Sequence, residues 1–179
     1  MAEKRSAGRR GEIKCASFIE RRFAGDENTY VFHDVDTPGM RANLDHVVVR
    51  GRTAVVVDAK CWAPGFYWTA GGVTRRGVRP VPHADSETLP ATVLSLSRAA
   101  SAHAGFDLDI RALLVVVPSQ PKRLSVLAYR PAGGVPVRTI GPGAMRVLSR
   151  MLGTDRARCD PLVDLLWTLT RNRESRRAM

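Results

Sequence analysis

Asp58-Ala59-Lys60 follows Ala54-Val55-Val56-Val57, at the end of a strongly apolar run. In an extended chain, residues i and i+2 share a face, so Asp58 and Lys60 project together. A charged pair there is costly unless it is paired or used. A second run, Leu44–Val49, precedes it across Arg50-Gly51-Arg52. Two β-branched runs so separated read as a hairpin. With Gly51-Arg52 as the two-residue loop, Arg50 faces Thr53 and Asp45 falls opposite Asp58. Opposed like charges on one sheet face sit about 5 Å apart at Cβ and are destabilising. Two carboxylates so placed ask for a cation, and hard oxygen ligands select Mg²⁺ or Mn²⁺.

Glu12 adds a third carboxylate. It lies on the helical stripe Glu12, Ala16, Ile19, Phe23, in a helix expected from about Arg9 to Phe23. Gly8 and Gly11 beside it would allow close backbone approach to a phosphate. A divalent ion held by Asp45, Asp58 and Glu12 would polarise a phosphoryl oxygen and acidify a bound water. Lys60 is a compact charge suited to orienting that water or stabilising the scissile phosphate. Only Lys4, Lys14, Lys60 and Lys122 are lysines among 28 basic residues. Lysine at this strand end therefore stands out in an arginine-rich chain. The simpler reading of Asp58 and Lys60 alone is a rim ion pair.

The partner follows from charge. In 179 residues, 28 Lys and Arg against 17 Asp and Glu give a net charge of +11. Such a surplus points to a polyanion, above all nucleic acid. Arg9 and Arg10 before Glu12, and Arg75, Arg76 and Arg79 after a Gly71-Gly72 turn, are candidates to track phosphates. Trp62, Phe66, Tyr67 and Trp68 lie between. Packing is their simpler reading, and stacking on bases the alternative. His33, His46, His83 and His103 lack metal-ligand spacing, and His46 is expected on the face opposite Asp45. Three widely spaced cysteines, no membrane-length apolar run and no signal-peptide pattern set a reducing cytoplasm as the expectation.

The positioning elements read as helix, three or more strands, helix, two strands and two closing helices. That order implies a mixed sheet covered by helices, an α/β domain over residues 1–170. Residues 171–179 read as a basic disordered tail.

Asp45-x12-Asp58-x-Lys60 resembles the PD-(D/E)xK nuclease signature. Gly8-x-x-Gly11-Glu12, Asn43-Leu44-Asp45-His46 and Val57-Asp58-Ala59-Lys60-Cys61-Trp62 together resemble the NERD (nuclease-related domain) family over about residues 8–68. The resemblance implies a restriction-endonuclease-like core and metal-dependent DNA cleavage. Related nucleases often carry a Gln on the helix after the lysine strand. The helix Leu89–Ala104 has none, which leaves Ser95, Ser97 or Arg98 for that position. Cutting both strands of a duplex would call for two sites and hence a homodimer, although no interface stripe is evident. The alternatives are a non-catalytic nucleic-acid-binding module on the same fold, or a subunit of a DNA-processing assembly.

Overall fold

A computed structural model describes the backbone of residues 2–85 and 88–177, and the side chains of residues 8–84 and 88–170. Helix α1 spans Ala2–Phe23, beginning earlier than the periodicity suggests. Strands β1 (Thr29–Asp36), β2 (Asn43–Arg50) and β3 (Thr53–Trp62) follow. Then come β4 (Gly65–Ala70), β5 (Val73–Arg76), β6 (Arg79–Pro80) and helix α2 (Thr88–Ala104). The chain continues as β7 (Asp109–Pro118), β8 (Leu124–Ala128), β9 (Val137–Thr139), α3 (Pro142–Leu152) and α4 (Asp160–Arg177).

Five strands form one sheet in the order β1-β2-β3-β7-β9. β1, β2 and β3 are antiparallel, whereas β7 runs parallel to β3, and β9 parallel to β7. The buried stretches Val55–Val57 and Leu113–Val117 are apolar on both faces, as strands covered on both sides must be. One face packs Val55, Val57 and Val115 against Cys15 and Ile19 of α1 and Leu148 of α3. The other packs Val47, Ala54 and Val56 against Leu96 of α2 and Leu162 and Leu166 of α4. The smaller sheet, in the order β6-β5-β4-β8, lies over Trp62, Leu114 and Val116. The mixed α/β architecture with helices flanking the sheet is the one expected.

Three expectations need correction. Helix α4 does not end near Thr170 but continues to Arg177; residues 178–179 lie outside the described residues. A short strand, β9, adds to those the pattern predicts. Gly11 does not wait for a phosphate: a Cβ there would stand 3.0 Å from the Cβ of Cys61. The glycine lets α1 close on β3, and so carries Glu12 to the end of that strand. Gly11→Ala should cost about 1–3 kcal/mol in denaturant unfolding, the usual penalty for overpacking. Gly143→Ala, in a helix with open space around the new methyl, should be neutral or stabilising by under about 1 kcal/mol.

Candidate active site

The two-residue turn sets the hairpin register. Arg50 pairs with Thr53, and the ladder continues to His46 opposite Val57. The next position brings Asp45 level with Asp58, and there a side chain takes over from the backbone. The Ala59 amide donates to Asp45 Oδ2 at 2.8 Å. Lys60 Nζ donates to Asp58 Oδ1 at 2.7 Å. Asp45, Asp58 and Lys60 line one cleft of about 200 Å³. The three residues singled out on strand alternation and turn length are therefore together.

Electrostatics mark the cleft as strained in charge. Burial, reinforced by the negative charge of Asp58 and more weakly of Glu12, pushes the Asp45 carboxyl up to about 7. The Ala59 amide and Lys60 oppose that rise. Burial works against the Lys60 cation, but Asp58, Asp45 and Glu12 outweigh it and hold its pKa above the ordinary lysine value. Cys15, beneath the site on α1, is pushed up to about 12 by burial and then by Asp45 and Asp58. Its thiol is therefore no nucleophile at neutral pH.

Glu12 is half-buried on α1, and its charge acts on both Asp45 and Lys60. It does not complete a preformed ligand set: among the described residues, no group of three His, Cys, Asp or Glu side chains stands ready to hold an ion. Two carboxylates still suit Mg²⁺, which is usually held by one or two protein carboxylates plus substrate phosphate and water. Burial first and the charge of Asp58 second raise the Asp45 pKa, and a hard cation beside the carboxylates would oppose both. Asp45 and Asp58 therefore fit such an ion.

His46 is 2% exposed. Its Nδ1 lies 2.8 Å from Nδ1 of His33, whose Nε2 meets Glu20 Oε1 at 3.2 Å. Burial, then the neighbouring His33, lowers the His46 pKa to about 3. It is a neutral tie between β2, β1 and α1, and does not line the cleft with Asp45.

The helix opposite the site, α2, supplies Thr88 and Thr92 to the cleft, and Thr92 Oγ1 donates to the Leu89 carbonyl at 2.9 Å. The substitutes considered for the absent Gln do not take that place. Ser95 donates to the Pro38 carbonyl and pins the β1–β2 connection. Ser97 lines a separate surface hollow, and Arg98 is exposed. Tyr129, His83 and Val135 also line the cleft. No local pattern announces them, because they arrive from the long connections flanking β4–β8.

The aromatic group divides by strand alternation. Trp62 and Tyr67 are buried and stacked at 4.7 Å, while Phe66 is 50% exposed. Packing is thus the role of the first two. Arg75 lies over the Trp68 ring at 5.3 Å. Arg75 and Arg76 are half-buried on β5, and Arg79 is exposed on β6. Arg9 and Arg10 are exposed on α1, which also bears Glu12.

A mixed α/β domain sets two aspartates and a lysine at the open end of one hairpin, beneath flanking helices. The chain belongs to the nuclease-related domain (NERD) family, whose model matches residues 7–102; the PD-(D/E)xK nucleases are its general context. No curated protein matches the sequence. The solved structure of Pyrococcus furiosus SfsA in complex with Ca²⁺ is similar, with 15% identity and a TM-score of 0.29, over 78% of this chain and 52% of that one. The chain spans about half the length of that protein, and so loose a likeness carries no argument about the site. Among the described residues, no helix is long and apolar enough to cross a membrane.

Proposed function

We propose that this protein is a divalent-metal-dependent DNA nuclease that hydrolyses phosphodiester bonds in the cleft of Asp45, Asp58 and Lys60. The observation that carries the reading is the convergence of two carboxylates from adjacent strands on one cleft with a lysine bonded to one of them. Asp45 and Asp58 would hold Mg²⁺ or Mn²⁺, with Glu12 completing the acidic rim from α1. A bound ion of this kind polarises phosphoryl oxygen and generates hydroxide from water at neutral pH. Lys60, a compact charge half-exposed beside Asp58, would turn from Asp58 toward the phosphate and stabilise its developing charge. The surplus of +11, including Arg9, Arg10, Arg75, Arg76 and Arg79, holds the strand by its backbone.

The test is incubation with plasmid DNA and with labelled oligonucleotides in Mg²⁺, Mn²⁺ or EDTA. Cleavage with either ion and none in EDTA is expected. DNA bound but uncut under every condition overturns the reading in favour of a non-catalytic binding module. Binding itself should weaken steeply between 50 and 200 mM salt, by about tenfold or more, as release of several counterions requires. Replacing Arg75, Arg76 and Arg79 together with alanine should flatten that slope for all DNA sequences alike, measured by fluorescence anisotropy.

A further inference from the structure

The cleft has a second chemistry beyond its charged end. Beside Asp45 and Asp58 the cleft is lined by apolar Leu89 of α2, with Pro131 and Val135 from the segment between β8 and β9, and by the polar Thr88, Thr92 and His83; Leu89 and Val135 pack against the buried cluster that holds Trp62 and Tyr129. Trp62 and Tyr129 also line it, their rings 5.2 Å apart and edge-to-face. A volume of about 200 Å³ compares with a cavity of about 150 Å³ that takes one benzene ring. There is room for a single base and none for a base pair. The carboxylates are recessed as well, the Asp58 side chain being 18% exposed. A stacked duplex presents phosphates outward and keeps its bases inside. It cannot place a phosphate against Asp58 and also fill the apolar wall unless a nucleotide leaves the stack, at a cost of a few kcal/mol.

We infer that the cleft receives one unstacked nucleotide, with its phosphate at the Asp45–Asp58–Lys60 end and its base against Leu89 and Val135, so that the preferred substrate is unpaired DNA. The inference rests on the nuclease reading for the placement of the phosphate. Its specificity comes from shape and apolar contact, so every base has a face to offer. The cation surplus steers either form of DNA to the protein, and the cleft then selects the form that can enter.

The test uses binding alone, in EDTA, with Asp45→Asn to remove the charge facing the phosphate. A 15-nucleotide single strand should bind at least tenfold more tightly than the duplex of the same length, by anisotropy. Ala132 lines the cleft and is half-buried, so a much larger side chain there should narrow it. Adding Ala132→Trp should lower single-strand affinity by tenfold or more and leave duplex affinity within twofold, with an unchanged melting temperature. Equal or tighter duplex binding overturns the inference, as does an equal loss of both ligands in the plugged variant. If the wild type cuts DNA but shows no strand preference, this inference alone fails. If the preference and the plug effect hold in a protein that never cuts, the nuclease reading alone fails.

Discussion

Lys60→Ala is expected to give a folded protein that binds DNA nearly as well as the wild type and cuts it at least about a hundredfold more slowly. The size of the loss is that of removing one preorganised electrostatic donor from a reaction in which charge develops on oxygen. Folding should survive because the Lys60 side chain is 47% exposed and the apolar residues of β3 remain. Binding should change little because one cation of 28 is lost. Lys60→Arg separates charge from shape. The guanidinium keeps the positive charge but spreads it over a rigid fork, so it should bridge to Asp58 and recover little of the rate. Single-turnover cleavage in Mn²⁺, with binding measured separately, checks both variants. Normal cleavage by Lys60→Ala would return Asp58 and Lys60 to a rim ion pair.

The second large effect concerns stability. In the unfolded chain Asp45 ionises at its ordinary value of 3.8, whereas burial and Asp58 raise it to about 7 in the folded one. A native pKa above the unfolded one means that the folded state holds the proton more tightly. The associated stability is fully present below about pH 3.8 and is lost progressively as pH rises to about 7. At pH 8, without a divalent ion, the site is a liability. Asp45→Asn removes the charge and keeps an oxygen to accept from the Ala59 amide. It should raise the melting temperature by about 4–8 °C at pH 8, corresponding to about 2 kcal/mol for a chain of this size. Near pH 4 the two proteins should melt within about 2 °C of each other. Saturating Mn²⁺ should reverse the order at pH 8, stabilising the wild type by mass action and Asp45→Asn hardly at all. A wild type that melts identically with and without Mn²⁺, or an Asp45→Asn that is less stable at pH 8, would break the assignment of Asp45 as an uncompensated ligand. Cleavage by Asp45→Asn should be undetectable, so the change that most stabilises the fold also silences it.

How much of this was legible in the sequence depended on the distance over which each contact forms. The opposition of Asp45 and Asp58 follows from a turn of two residues and a period of two, both local properties. The burial of His46 away from Asp45 followed from the same alternation. The contribution of Glu12 was half legible. Its stripe marked the helix face, but only the approach of Gly11 to Cys61 shows how α1 reaches the strand end. The apolar wall could not be read at all. Leu89 and Val135 come from segments whose composition is ordinary, and they meet only because β7 and β9 bring their flanking connections back to β3. The end of α4 is not legible from periodicity: residues 171–177 contain neither proline nor glycine to stop the helix begun at Asp160.

The pairing of β3 on its two sides bears on the order in which the molecule is assembled. Thr53 meets Arg50 across a two-residue turn, but it meets Asp109 only after more than fifty intervening residues have been gathered in. The first closure costs little chain entropy and the second considerably more. The aspartates and lysine thus reside on a ribbon that can zip up locally. The surface proposed to receive a base must await the slow, long-range docking of β7. The half of the cleft proposed to react is written in neighbouring residues, and the half proposed to select in topology. Insertions between β3 and β7 should therefore alter the apolar lining of the cleft while leaving the hairpin of Asp45, Asp58 and Lys60 untouched.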